Sequence, residues 1–239
     1  LTLADTTMTG SSPTQQNAPM SSSSPVAAFF DVDNTLIPGS AIELRFFRYL
    51  WTQGVVGWRE ASSSLAYLLR HGGLFSWQAL RAQKPYLGGK QATDIQALGH
   101  AFVSEVILSS LSREGMARIA HHQAQRHQVV LVTGCLDLLI APLAMHLGIT
   151  SALTARPEHR DGVFTGRLHL PVPYGPGKRE LIDAFARAND INLQQSYAYG
   201  DSPGDVELLQ AVKHPLVVNP IRGMDAIARR HGWPMTEWR

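Results

Sequence analysis

The stretch Phe29-Phe30-Asp31-Val32-Asp33-Asn34-Thr35-Leu36 decides how the chain is read. An apolar run from Val26 to Phe30 ends abruptly in two carboxylates spaced i and i+2. So short a run, with Pro25 before it and a polar turn after it, predicts a buried strand of a parallel sheet with the acids at its carboxyl end. In open α/β sheets ligands bind in the crevice beyond those ends, which makes Asp31 and Asp33 candidate site residues. Residues two apart on a strand project the same way, and two like charges so close repel unless a cation lies between them. A hard divalent metal with oxygen ligands answers that need. The competing reading is a polar turn that merely closes a strand.

Three later blocks repeat the pattern. Gln128 to Thr133 is a second apolar strand, followed by Thr133-Gly134-Cys135 and a helix from Leu136 to Leu147. A hydroxyl and a glycine between strand and helix make an anion site, because unpaired amides and the helix dipole both favour phosphate there. Lys178 opens a helix from Lys178 to Ala188, against the dipole unless an anion compensates. Finally Ser196-Tyr197-Ala198-Tyr199-Gly200 is a short strand that runs into Asp201-Ser202-Pro203-Gly204-Asp205, with Pro203 suited to a first helical position. Each block stands at the carboxyl end of a strand or the start of the next helix. In a doubly wound sheet those ends converge, so Asp31, Asp33, Asp201, Asp205, Thr133, Gly134 and Lys178 would face one crevice, a cation site beside a phosphate site.

Between the first two blocks no strand pattern interrupts the helical stretches at 41–51, 58–70, 76–86 and 92–111, which are separated by glycines. Residues 38–108 therefore read as an all-helical insert, with Ser40 as N-cap of its first helix. Residues 25–37 and 109–239 form the α/β core, including a strand at 149–155, a hairpin or flap at 161–168, a last strand at 216–218 and a closing helix at 222–231. Residues 1–24, rich in Ser, Thr, Pro, Gln and Asn, read as a disordered tail.

The bulk numbers exclude more than they assign. A chain of 239 residues can bury an ample core. A formal charge of +2 with scattered basic residues argues against nucleic acid as a partner, and no apolar run reaches the ~18–20 residues that span a bilayer. A single cysteine, Cys135, allows no intramolecular disulfide and fits a reducing compartment, so a soluble cytoplasmic protein is expected. Cys135 reads as packing rather than nucleophile, and His121, His122 and His127 as surface helix residues.

Taken together, Asp31-Val32-Asp33-Asn34-Thr35-Leu36, Thr133-Gly134, Lys178 and Gly200-Asp201-Ser202-Pro203-Gly204-Asp205 resemble the motifs of the haloacid dehalogenase-like superfamily of phosphohydrolases. The insert resembles a C1-type cap. The hairpin, Val218-Asn219-Pro220 and Gly232-Trp233-Pro234 resemble subfamily IB, which includes phosphoserine phosphatase-like and some histidinol-phosphatase-like enzymes. The resemblance implies a Rossmann-like sheet with a cap inserted after the first strand, and a phosphatase acting on a small phosphorylated metabolite. It further implies Asp31 as the nucleophile that forms an aspartyl-phosphate and Asp33 as the general acid and base. Magnesium would be held by the Asp31 carboxylate, the Asp33 main-chain carbonyl and Asp201. Thr133 and the Gly134 amide would hold phosphoryl oxygens, Lys178 would neutralise nucleophile and phosphate, and Asp205 would orient Lys178 or a metal-bound water.

Two departures bear on the substrate. Phosphoserine phosphatases carry Glu, which recognises the amino group, where this chain has Ser40, and Asn where it has Gly204. Glu43, Arg45, Arg48, Arg81 and Lys84 could substitute, yet each also reads as a solvated helix charge. Two other functions fit the same residues: a phosphomutase or phosphotransferase, and a binding module that has kept the fold without the activity.

Overall fold

Six parallel strands in the order β3-β2-β1-β6-β7-β8 form the sheet. This computed structural model describes residues 24–39, 41–58, 60, 62 and 83–238. The central strand β1 (Ala27–Phe30) lies between β2 (Gln128–Leu136) and β6 (Tyr197–Gly200) and is wholly buried. Alternation along it builds both faces: Ala28 and Phe30 enter one core with Leu131 and Tyr199, while Ala27 and Phe29 enter the other with Val130, Val132 and Ala198. That is why the run is apolar at every position, as a strand covered on both faces requires.

Helices among the described residues include α1 (Ile42–Thr52), α2 (Ala92–Phe102), α3 (Arg113–Ala124), α4 (Asp137–His146), α5 (Pro176–Ala188), α6 (Val206–Gln210) and α7 (Met224–His231). The outer strands are β3 (Ser151–Ala155), β7 (His214–Val218) and β8 (Met235–Thr236). A separate antiparallel hairpin joins β4 (Pro157–Arg160) to β5 (Val163–Leu168). Its turn, Asp161-Gly162, has φ of 51° and 79°, the left-handed pair that a two-residue hairpin loop demands. The expected α/β architecture with a doubly wound parallel sheet is present.

The differences have identifiable causes. Strand β2 continues to Leu136, with its pairing to β3 shifted between Thr133 and Leu136, so Thr133-Gly134-Cys135 lies in an irregular strand end and the helix begins at Asp137. The stretch expected as one helix over 92–111 breaks after Phe102 into a π-turn and a 3-10 turn. Strand β8 has no sequence signal, being two residues whose neighbour β7 supplies the pairing. Ser40 lies outside the described residues. The cap of α1 comes from a distance, since Ile42 N donates to Asp33 Oδ1 at 2.8 Å.

Most of the helical stretches expected at 58–70 and 76–86, with Arg81, also lies outside the described residues. Where that segment re-enters, it is not helical: Gln83 and Gln91 bridge to Arg167 and Val163 of β5, with a 3-10 turn at Pro85–Leu87 between them. The hairpin is thus no free flap, because its backbone is shared with residues 83–92. His122 overturns the surface reading of the histidines, being buried under Phe30 and Tyr199. Its faces were invisible to periodicity because the neighbouring His121 does point outward.

Candidate active site

Lys178 ties the carboxyl edge of the sheet together. It sits in the first turn of α5, 2 % exposed, and its ammonium donates to Asp31 Oδ1 at 2.6 Å, Asp205 Oδ1 at 2.5 Å and the Val132 carbonyl at 2.8 Å. All three protons are spent, on the ends of β1 and β2 and on the turn after β6. Burial alone would depress this lysine, but Asp205 and Asp31 more than reverse it and hold it above the ordinary range.

Asp205 is fixed just as firmly. Its Oδ2 accepts from the amides of Asp201 and Ser202 at 3.2 and 3.1 Å and from the Ser202 hydroxyl at 3.1 Å. Burial works against its charge, yet Lys178 and these donors keep its carboxyl below the usual range. Asp201 has less support: Asn34 Nδ2 donates to its Oδ2 at 3.0 Å, and burial followed by the charge of Asp205 pushes it up to about 7. Asp31 is raised well above the carboxylate range by burial, which Lys178 opposes and Asp205, Asp201 and Asp33 reinforce.

Three buried acids therefore stand beside one lysine, which is bonded to Asp31 and Asp205 but not to Asp201. Oxygens of Asp31, Asp201 and Asp205 lie within 4.8 Å of one another. An all-oxygen donor set with negative charge in excess fits a hard divalent cation. The Asp33 carboxylate stands outside this group, with Oδ1 on Ile42 N and Oδ2 accepting from the Cys135 thiol at 3.1 Å. Burial raises Asp33, and it raises the Cys135 thiol well above its ordinary range, so Cys135 is a protonated donor rather than a thiolate.

Thr133 and Gly134 complete the wall. Thr133 Oγ1 accepts from Cys135 N at 3.2 Å, which leaves the hydroxyl proton free to serve another acceptor. A cavity of about 260 Å³ is lined by Asp31, Asp33, Thr133, Gly134, Lys178, Asp201 and Asp205. All seven residues singled out from the sequence meet there.

The contacts that support this cavity were not readable from spacing. Asn34 and Asn219 clasp each other, Asn34 Nδ2 donating to the Asn219 carbonyl at 3.0 Å and Asn219 Nδ2 to the Asn34 carbonyl at 2.7 Å. Tyr174 places its ring where a side chain at residue 204 would stand, so Gly204 is required by that ring. Glu43 and Lys84, expected as solvated charges, form a 2.6 Å ion pair on the cavity wall. Arg45 likewise donates to the Val106 carbonyl and Ser110 Oγ, at 3.0 and 2.9 Å, whereas Arg48 is exposed as expected. Asn34, Asn219 and Gly204 lie inside stretches quoted for the resemblance, whereas Tyr174, Glu43, Lys84 and Arg45 lie in none.

A Rossmann-like sheet with a lysine-bridged acid cluster at its carboxyl edge defines an α/β enzyme. Residues 28–210 match the family model described as haloacid dehalogenase-like hydrolase, and the chain belongs to that family. It is 31% identical over 219 residues to phosphoserine phosphatase SerB1 of Mycobacterium tuberculosis, covering 89% of this chain and 71% of that protein. It is 25% identical over 219 residues to a histidinol-phosphatase of Neisseria meningitidis, covering 89% and 98%. A crystal structure of a protein of unknown function from Bordetella pertussis superposes with a TM-score of 0.77 at 28% identity, covering 90% and 99%. Among the described residues no helix is long and apolar enough to cross a membrane.

Proposed function

We propose that the chain is a magnesium-dependent phosphatase that hydrolyses the phosphomonoester of a small metabolite through an aspartyl-phosphate on Asp31. The observation that carries this reading is the buried Lys178, bonded to both Asp31 and Asp205 in a cavity that Thr133 and Gly134 also line. The names of the M. tuberculosis and N. meningitidis relatives point the same way.

Each side chain then has a role that its surroundings suit. Asp31 Oδ1 is committed to Lys178, so Oδ2, which receives no hydrogen bond among the described residues, is the attacking atom. It bonds to phosphorus as the ester P–O bond breaks, and Asp33, raised by burial, gives its proton to the departing oxygen. Asp33 next takes a proton from a water that attacks phosphorus. The bond to Asp31 breaks, inorganic phosphate leaves, and both acids are restored. Thr133 and the Gly134 amide hold the phosphoryl oxygens throughout, and the buried charge of Lys178 beside Asp31 offsets theirs. Asp31, Asp201 and the Asp33 carbonyl would hold the magnesium ion, which would neutralise charge on the transferring group. Residues 38–108 would act as the cap that shapes the leaving-group side. The cavity of about 260 Å³ limits that group to a small one.

The test is release of phosphate from p-nitrophenyl phosphate. Turnover should require magnesium, vanish with a chelator, and fall by more than about a thousandfold in Asp31→Asn, the range for losing a nucleophile. Equal turnover by the variant would remove Asp31 from the chemistry.

A further inference from the structure

The cap side of the cavity carries a built charge pair. Glu43 stands in the first turn of α1, and both of its oxygens are engaged: Oε2 by Lys84 Nζ at 2.6 Å and Oε1 by the Tyr86 hydroxyl at 3.0 Å. Burial, and then the charge of Glu43, hold the Tyr86 phenol well above its ordinary range, so it remains a donor to Glu43. Lys84 is 7 % exposed and is pinned at its backbone, where its amide donates to the Gly166 carbonyl of the hairpin at 2.7 Å. Among the described residues its ammonium has Glu43 as its one partner, which spends one N–H of three.

The unspent capacity of this wall is therefore donor capacity. A cationic amine on the substrate would find Glu43 already claimed from two sides and would meet the Lys84 charge. An oxyanion would find two N–H groups with no partner among the described residues, on a buried, rigidly held cation, where a charge-assisted hydrogen bond is strong. Arg222, on the exposed rim of the same cavity, adds positive charge near the entrance.

We propose that Lys84, held in place by Glu43 and Tyr86, selects phosphomonoesters whose leaving group bears a second oxyanion, a carboxylate or a second phosphate, and disfavours those bearing an amine. This rests on the phosphatase reading for the other end of the substrate. It assigns the chain a preference unlike that implied by an amino-group receptor, and it gives a purpose to a lysine that no motif contains.

The experiment measures binding of non-hydrolysable phosphonates to the magnesium-loaded full-length protein by calorimetry. The probes are propylphosphonate, 3-phosphonopropionate, 2-aminoethylphosphonate and propane-1,3-bisphosphonate. The carboxylate or the bisphosphonate should bind at least tenfold more tightly than propylphosphonate, and the amine no more tightly than it. Whichever of the two binds better identifies the oxyanion. Lys84→Met should remove that advantage and Lys84→Arg should restore part of it. Tyr86→Phe, which frees Glu43 Oε1, should move the preference toward the amine. The proposal is overturned if the amine binds tightest to the native protein, if no probe separates from propylphosphonate, or if Lys84→Met leaves the ratios unchanged. Turnover of p-nitrophenyl phosphate is measured beside it: hydrolysis without selectivity defeats this proposal alone, and selectivity without hydrolysis defeats the phosphatase reading alone.

Discussion

The thiol of Cys135 donates to Asp33 Oδ2 at 3.1 Å, across 102 positions of sequence. With Ile42 N on the other oxygen, Asp33 is fixed between the end of β2 and the start of α1. A residue that reads as packing is a polar contact of the proposed acid and base.

Replacing Cys135 should therefore alter the pH profile more than the fold. The thiol bond stabilises the charged form of Asp33 and so lowers it, against burial. In Cys135→Ala the carboxyl should rise further, and the alkaline limb of kcat/KM, where Asp33 must still carry its proton, should move to higher pH. Cys135→Ser keeps a donor and should leave the limb near its native position. Profiles that coincide for alanine and wild type would show that the contact does not tune Asp33.

Lys178→Met leaves Asp31, Asp201 and Asp205 buried with no cation. Breaking one side of a buried ion pair costs about 3–5 kcal/mol, so the melting temperature without magnesium should fall sharply at pH 7.5. The sign of the pH dependence follows from the raised carboxyls, Asp201 already near 7. Below that pH the folded state holds protons that the unfolded chain has released, which stabilises folding as pH falls. The deficit should shrink at pH 5.5. A deficit equal at both values, read by calorimetry, would contradict the charge argument.

What the sequence made legible was whatever depends on local pattern. Phe29 to Asp33 carries its strand, its edge and its acids within five residues, Tyr197 to Asp205 does the same within nine, and Thr133 and Lys178 stand at a strand end and a helix start, so the parallel sheet and its carboxyl-edge cluster follow from spacing and covalent order. The Glu43–Lys84 pair joins positions 41 apart through a segment with no motif, and its burial depends on the hairpin contact of Lys84 with Gly166. Helical periodicity assigns such charges to solvent by default. The same default hid Arg45, whose carbonyl acceptor at Val106 lies in the π-turn that periodicity read as plain helix. His122 failed for a related reason: its partners, Tyr199 and His127, come from β6 and from the loop before β2.

Asn219 should prove a structural residue of the site. Its side chain donates to the Asn34 carbonyl and accepts from Trp238 N at 2.8 Å, and its φ of 46° suits asparagine better than alanine. Asn219→Ala should cost about 2–3 kcal/mol, from two unmade hydrogen bonds and a strained backbone. Asn219→Gly removes the strain but not the loss of bonds, so it should be intermediate in urea denaturation. Because Asn34 also holds Asp201, both variants should need more magnesium for half-maximal activity. Native stability in the alanine variant would sink the clasp.

His122 makes the core beneath Asp31 sensitive to acid. Its Nε2 and the Tyr199 hydroxyl are 2.7 Å apart, its Nδ1 lies 2.9 Å from His127 Nδ1, and its ring stands edge-on to Phe30, the residue before Asp31. Burial, with His127, His121 and Arg118 adding repulsion, pushes it down to about 4. A depressed histidine stays neutral in the folded state while the unfolded chain takes up a proton near 6.5. Its contribution is thus complete above pH 6.5 and is lost as pH falls toward 4, by up to roughly 3 kcal/mol over that window. His127 is shifted the same way and adds to the slope. The difference in unfolding free energy between wild type and His122→Gln, measured in urea at several pH values, should narrow steadily from pH 6.5 to 4.5, because glutamine can keep a hydrogen bond to Tyr199 without titrating. The carboxylates of the site cancel in that difference. A gap independent of pH would mean that His122 is not the group whose protonation loosens β1 and β6 under the carboxyl edge of the sheet.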